Sequence, residues 1–175
     1  MLRKLASYVG EYKKSAILTP VFVAIEVLME CLIPFFTARI IDRGISPGNM
    51  AEVWKYGGLL LAMALVSLLF GILAGRSSAV AAAGFAKNIR HALFYKVQEF
   101  SFHNIDRFST GGIVTRLTTD VSNIQNAFMM IIRIASRSPI MLVFSYCMAF
   151  SINKRLSLVF LIVVPIMAEI GRAHV

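Results

Sequence analysis

GGLLLAMALVSLLFGILAG, residues 57–75, is a run of nineteen residues without a charge, held between Lys55 and Arg76. At ~1.5 Å rise per residue, a helix of that length covers roughly 28 Å, against a hydrocarbon core of ~30 Å. A buried helix of a large soluble protein has the same look, but 175 residues build no core able to hide several such runs. The stretch is read as a membrane span.

The helical pattern does not stop at Arg76. Phe85, Ile89, Leu93 and Val97 are spaced by four, with Lys87, Arg90 and Lys96 off that stripe. Further on, Ile113, Leu117, Val121, Ile124, Phe128 and Ile131 step by three or four, and Arg116, Asp120 and Asn123 lie on another face. Both are amphipathic helix patterns. Between them Ser109-Thr110-Gly111-Gly112 breaks the helix, and Ser109 or Thr110 can cap the helix that follows. The stretch from 76 to 137 thus reads as a hairpin of two long helices outside the membrane, meeting around Phe102 to Phe108.

Working outward, residues 15–36 form another span, broken by Pro20 and Pro34 and carrying Glu26 and Glu30. A third, 138–153, has sixteen uncharged residues. It is short unless its helix starts earlier and Arg133 and Arg137 snorkel or face protein. Residues 156–168 add a thirteen-residue apolar run, too short to cross, before Glu169. Leu2, Leu5, Val9 and Tyr12 recur at helical spacing, fitting either a short helix in the inner interface or a basic flank that sets topology. Asp42 to Asn49 is a loop by its Gly and Pro content. The fold class is all-α: a polytopic membrane protein with long helices extending into the cytosol.

Hydrophobic residues make up 58% and charged residues 15% of the chain, well short of the ~25% charged of a soluble domain. The net charge of +9 invites a nucleic-acid partner, but its distribution argues against one. Arg3, Lys4, Lys13 and Lys14 precede the first span, and Arg76, Lys87, Arg90, Lys96, Arg107, Arg116, Arg133 and Arg137 lie between the second and third. The outer loop is nearly balanced. This positive-inside pattern places the N-terminus in the cytosol, and the protein is expected in the cell (plasma or inner) membrane. Cys31 and Cys147 sit within apolar runs and read as small apolar side chains, without a disulfide or metal role. A phosphate-binding loop needs a Gly-Lys-Ser/Thr run, and Gly111-Gly112 is followed by Ile113, so no catalytic, cofactor or metal residue is expected in this chain.

Two constellations stand out. Glu26 and Glu30 lie one turn apart on one face of the first span. A charge near the bilayer centre costs at least ~2.5 kcal/mol by insertion scales, so these carboxylates face protein or water. They form either the wall of a substrate path or a structural pair, protonated or matched by an arginine. Phe102, His103, Asn104, Ile105, Asp106, Arg107 and Phe108 mix aromatics and both charge signs at the hairpin tip, which suits a docking knob.

At these residues a resemblance becomes plain. Glu99 to Val121, with its Asp106-Arg107-Phe108 turn, its Gly111-Gly112 pair and its Thr115-Arg116-Leu117-Thr118-Thr119-Asp120 run, is similar to the first cytoplasmic loop of ABC exporter transmembrane domains. Pro34 followed by Ile40-Ile41-Asp42-Arg43-Gly44-Ile45 is similar too. The resemblance covers residues 1–168 and leans toward one half of a heterodimeric, multidrug- or lipid-type exporter. It implies further spans and an ATPase domain that holds ATP and Mg. It also implies Phe102 to Phe108 as a coupling helix seated on that domain. The expected partners are a nucleotide-binding domain of the same or a partner subunit, a second transporter subunit and the lipid bilayer. The cargo would be hydrophobic or amphipathic.

The chain departs from that family by stopping inside the fourth span. Ile170-Gly171-Arg172-Ala173-His174-Val175 is what ATC GGA AGA GCA CAC GTC encodes, which resembles a sequencing adapter, and a GAG codon for Glu169 fits its start. Residues 169–175 are accordingly read as a non-native, adapter-derived tail. Two other functions fit the residues: a small membrane adaptor whose cytoplasmic hairpin docks a soluble partner, and a non-functional gene fragment.

Overall fold

A computed structural model of the chain describes residues 7–100 and 109–173. Four helices dominate it: α1 (Lys13–Ile40), α2 (Met50–Gln98), α4 (Val121–Ile152) and α5 (Lys154–Ala173), with a short α3 (Thr110–Thr115) before α4. No strand occurs among the described residues. Three helical stretches are long and apolar enough to cross a membrane: Gly10–Ile45, Met50–Gln98 and Gly111–Ile152. The expected all-α polytopic architecture is what the chain adopts.

Helix α2 has 49 residues, roughly 73 Å at the standard rise, more than twice a bilayer core. It runs without interruption from the apolar stretch through Arg76 into the amphipathic one, so the span and the outgoing limb of the hairpin are one rod. Leu61, Leu65, Leu68 and Ile72 on it are exposed, a hazard in water but ordinary against lipid or further helices. The third span starts well before Ser138, as its short apolar run required, because α4 begins at Val121. Helix α5 is longer than the apolar run 156–168, continuing through Glu169 to Ala173.

Local expectations fare unevenly. Pro20 and Pro34 do not break α1, which is continuous. Prolines are tolerated in membrane helices because side-chain hydroxyls and local adjustments satisfy the freed carbonyls. The Asp42–Asn49 loop is shorter than its composition suggests. Ile41–Ile45 continues as a π turn, and only the residues around Gly48, at φ 72°, reverse the chain. Gly44 packs against Val53, where a Cβ would stand 2.8 Å from Cγ2, and Asn49 caps α2 by accepting from the Ala51 and Glu52 amides at 3.2 and 3.4 Å. At the hairpin, Ser109 is the cap: its hydroxyl accepts from the Gly112 amide at 3.3 Å. Gly111 and Gly112 lie inside the first turn of α3 instead of preceding it.

The described residues group into two units, Met1–Glu26 with Leu68–Arg137, and Val27–Ser67 with Ser138–Val175. In the first unit the two amphipathic stripes meet as expected. Phe85 of α2 stacks on Phe128 of α4 at 4.4 Å between ring centroids, Val121 is 1% exposed beneath them, and Arg90 Nη2 donates to Ser122 Oγ at 3.1 Å. Leu93, Val97, Ile113 and Leu117 line a cavity of about 80 Å³ along the same seam. Two stripe members depart: Ile124 is 40% exposed and Ile131 61%. The π turn Arg116–Asp120 is the reason. Its wider turn shifts the register, so that Gln125 and Ile132 take the half-buried positions.

Candidate functional site

Glu26 sits on the inward face of α1 with Thr19 and Val23, both fully buried. Opposite, α2 buries small residues, Ala74, Ser78, Ala81 and Ala82, the composition that lets membrane helices approach closely. Gly71 extends that face. A Cβ there would stand 3.2 Å from Glu26 Oε1, so the bare backbone of α2 leaves the carboxylate its room. From α4, Arg137 Nη1 donates to Glu26 Oε1 at 3.0 Å. The side chains are 10% and 35% exposed for Glu26 and Arg137, so this is a charge pair largely removed from solvent. An arginine thus meets Glu26, as one of the two readings of that carboxylate requires. Arg137 turns its guanidinium toward that carboxylate. Nothing in the local pattern joined these residues, which are 111 positions apart. The signal available was a carboxylate inside one apolar run and an arginine at the edge of another.

Glu30 is placed differently. In the second unit it lines a groove of about 410 Å³ with Cys31, Pro34, Phe35, Met141 and Met148, among others. Cys31 Sγ lies 3.8 Å from Ser145 Oγ across that groove. An apolar wall with one carboxylate and a few polar atoms is the general make-up of a small-molecule site.

The proposed docking residues Phe102, His103, Asn104, Ile105, Asp106, Arg107 and Phe108 lie outside the described residues. The limbs that lead to them are held together from the other end. Of the apolar repeat near the N-terminus, Leu2 and Leu5 lie outside the described residues; Gly10, at φ 51°, makes a turn, followed by a short 3-10 segment, Gly10–Tyr12. Val9, 8% exposed, packs against Phe85, Ala86, Ile89 and Val121, thus touching both limbs. The Tyr12 ring fills a notch over Gly84, where any Cβ would stand inside it. Asn88 Nδ2 donates to the Tyr8 carbonyl at 2.8 Å, and Lys87 Nζ lies 3.4 Å from Glu11 Oε1. The Tyr12 phenol first, and then the Glu11 carboxylate, hold Lys87 above the usual lysine range. Sequence periodicity missed this clasp, since it depends on a glycine whose role is to be small. Among the described residues, no three His, Cys, Asp or Glu side chains come together as a metal site would need.

Comparison with known proteins gives this geometry its context. Residues 16–172 match the model of the ABC transporter transmembrane region. Among relatives, the chain is 29% identical over 95% of its length to the Uncharacterized ABC transporter ATP-binding protein YfiB of Bacillus subtilis, of which it covers 29%. It is 28% identical over 96% of its length to the ATP-dependent lipid A-core flippase of Pseudoalteromonas translucida, covering 29% of that protein. To the ABC-type oligopeptide transporter ABCB9 of Mus musculus it is 25% identical over 99% of its length, covering 23%. The chain thus spans less than a third of the length of the curated relatives it matches. With its long membrane-crossing helices and a family match over nearly all its residues, this chain belongs to the ABC transporter transmembrane region family.

Proposed function

We propose that this chain is the N-terminal part of an ABC exporter subunit, which moves a hydrophobic or amphipathic substrate by ATP-driven alternating access. The observation that carries the reading is α2 itself, a single helix long enough to cross the bilayer and continue roughly 40 Å beyond it. A rod of that kind transmits displacement between a membrane site and a soluble motor. In this reading the motor is a nucleotide-binding domain of the same or a partner subunit, holding ATP and Mg, with a second transporter subunit completing the assembly. Phe102 to Phe108 is the seat on that domain. Glu26 and Glu30 are the candidates for the substrate path, Glu30 where it lines the apolar groove.

The N-terminus lies in the cytosol of the cell membrane in this reading, as the lysine and arginine asymmetry supports. Cysteines introduced at Gly48 and Asn104, in a background without Cys31 and Cys147, are expected to react with impermeant maleimides from opposite faces, Gly48 outside and Asn104 inside. Reaction of both from one face would sink the topology. In the full-length protein, Phe108→Ala should leave the thermal unfolding midpoint nearly unchanged. Cargo-stimulated ATPase activity should fall about tenfold, within the range of site-to-site couplings. Intact stimulation would make Phe102 to Phe108 an ordinary loop.

A further inference from the structure

The pairing of Glu26 with Arg137 is only half made. Oε1 accepts from Nη1 at 3.0 Å, while Oε2 is buried and has no hydrogen-bond partner among the described residues. Folding has taken both oxygens out of water and restored a partner to one. A buried polar atom left in that condition keeps its desolvation cost, and the cost is recovered when water returns to it. A pair built only to hold helices together would be expected to satisfy both oxygens. Gly71 completes the arrangement. It lets the carboxylate lie against the bare backbone of α2.

We propose that Glu26 and Arg137 form a releasable latch between α1 and α4, closed in this structure and opened with entry of water during transport. The latch rests on the exporter reading for its place in a cycle. It is a two-state element: closed, it gains the ion pair; open, it gains hydration of Oε2 and of the guanidinium. The difference between two such states is small enough for cargo or nucleotide to bias.

The second unit supplies a tether for the test. Cys31 of α1 and Ser145 of α4 are 3.8 Å apart at their side-chain tips, so Ser145→Cys brings two thiols within reach of a disulfide. In the full-length protein reconstituted in lipid nanodiscs, with Cys147→Ser to remove the other thiol, oxidation of this variant is checked by peptide mapping. ATPase activity is expected to fall at least about tenfold on oxidation and to return on reduction, because the cycle cannot proceed with α1 and α4 tied. An oxidised, cross-linked protein that turns over within about twofold of the reduced one overturns the latch.

A second measurement needs no ATP. Arg137→Gln removes the ion pair of the closed state and leaves the Glu26 carboxylate its gain in hydration on opening, and native Cys31 is expected to react with a water-soluble maleimide at least about fivefold faster without nucleotide, as the open state gains population. An unchanged rate in monodisperse protein also overturns the proposal. Absence of ATP hydrolysis in the untreated full-length protein would count against the exporter reading alone, and the alkylation rates would still decide the latch.

Discussion

Replacing Arg137 with leucine is expected to destabilise the full-length protein strongly. The change leaves Glu26 buried, with its side chain 10% exposed and the guanidinium that neutralised it gone. Removing one member of a buried ion pair typically costs about 3–5 kcal/mol, mostly because a charge is stranded in the interior and only in small part because a hydrogen bond is missing. The distinction can be measured. Glu26→Leu with Arg137→Leu removes the stranded charge, and the double variant is expected to recover most of the stability in a thermal unfolding series, giving a strongly non-additive cycle. If the double variant is as damaged as the sum of the singles, the two side chains act independently and the 3.0 Å approach carries no weight.

The second large effect is expected at Gly84. An alanine there would place its Cβ within the Tyr12 ring, a conflict that no shift of a few tenths of an ångström relieves. The ring must leave its notch. With it go the cover over Val9 and Phe85, the Asn88 bond to the Tyr8 carbonyl, and the approach of Lys87 to Glu11. Overpacking of this kind usually costs about 1–3 kcal/mol. The surface ion pair adds little to that, since both its members are exposed. Chymotrypsin offers a local readout: Gly84→Ala should open a cleavage site at Tyr8 or Tyr12 in detergent-solubilised protein, with the unfolding midpoint lowered. Pairing Gly84→Ala with Tyr12→Ala should remove the clash and cost less than the two changes added together. A Gly84→Ala protein with unchanged cleavage would mean that Tyr12 does not occupy the notch.

Much of the architecture was legible because its causes are local. A run of nineteen uncharged residues demands a helix in lipid whatever surrounds it, since no other structure satisfies the backbone there. The stripe at Phe85, Ile89 and Leu93 continues that helix in the same period, and the rod followed from the two together. A cap at Ser109 or Thr110 was legible because a hydroxyl before a glycine pair has few other uses, and the structure assigns it to Ser109. Reading along the chain failed where an element's register or shape depends on neighbours. Pro20 and Pro34 looked like breaks and are not. Ile124 and Ile131 fit the stripe by spacing, yet the π turn at Arg116–Asp120 rotates them out of the seam.

The candidate sites divide along the same line. That Glu26 and Glu30 share a face of α1, and that a charge at this depth needs company, followed from helical spacing and the cost of burying a carboxylate. Which company each keeps did not follow. Arg137 reaches Glu26 from a helix 111 positions away, and Glu30 lines a groove formed with Met141 and Met148. The sequence by itself determined the all-α membrane class and the amphipathic helices between its apolar runs, because hydrophobic period and chain length act residue by residue. Only the tertiary structure decided that Tyr12 lies over Gly84 and that Arg137 meets Glu26. Those pairings depend on the space a glycine leaves and on a charge brought from another helix, and neither is a property of any single stretch of chain.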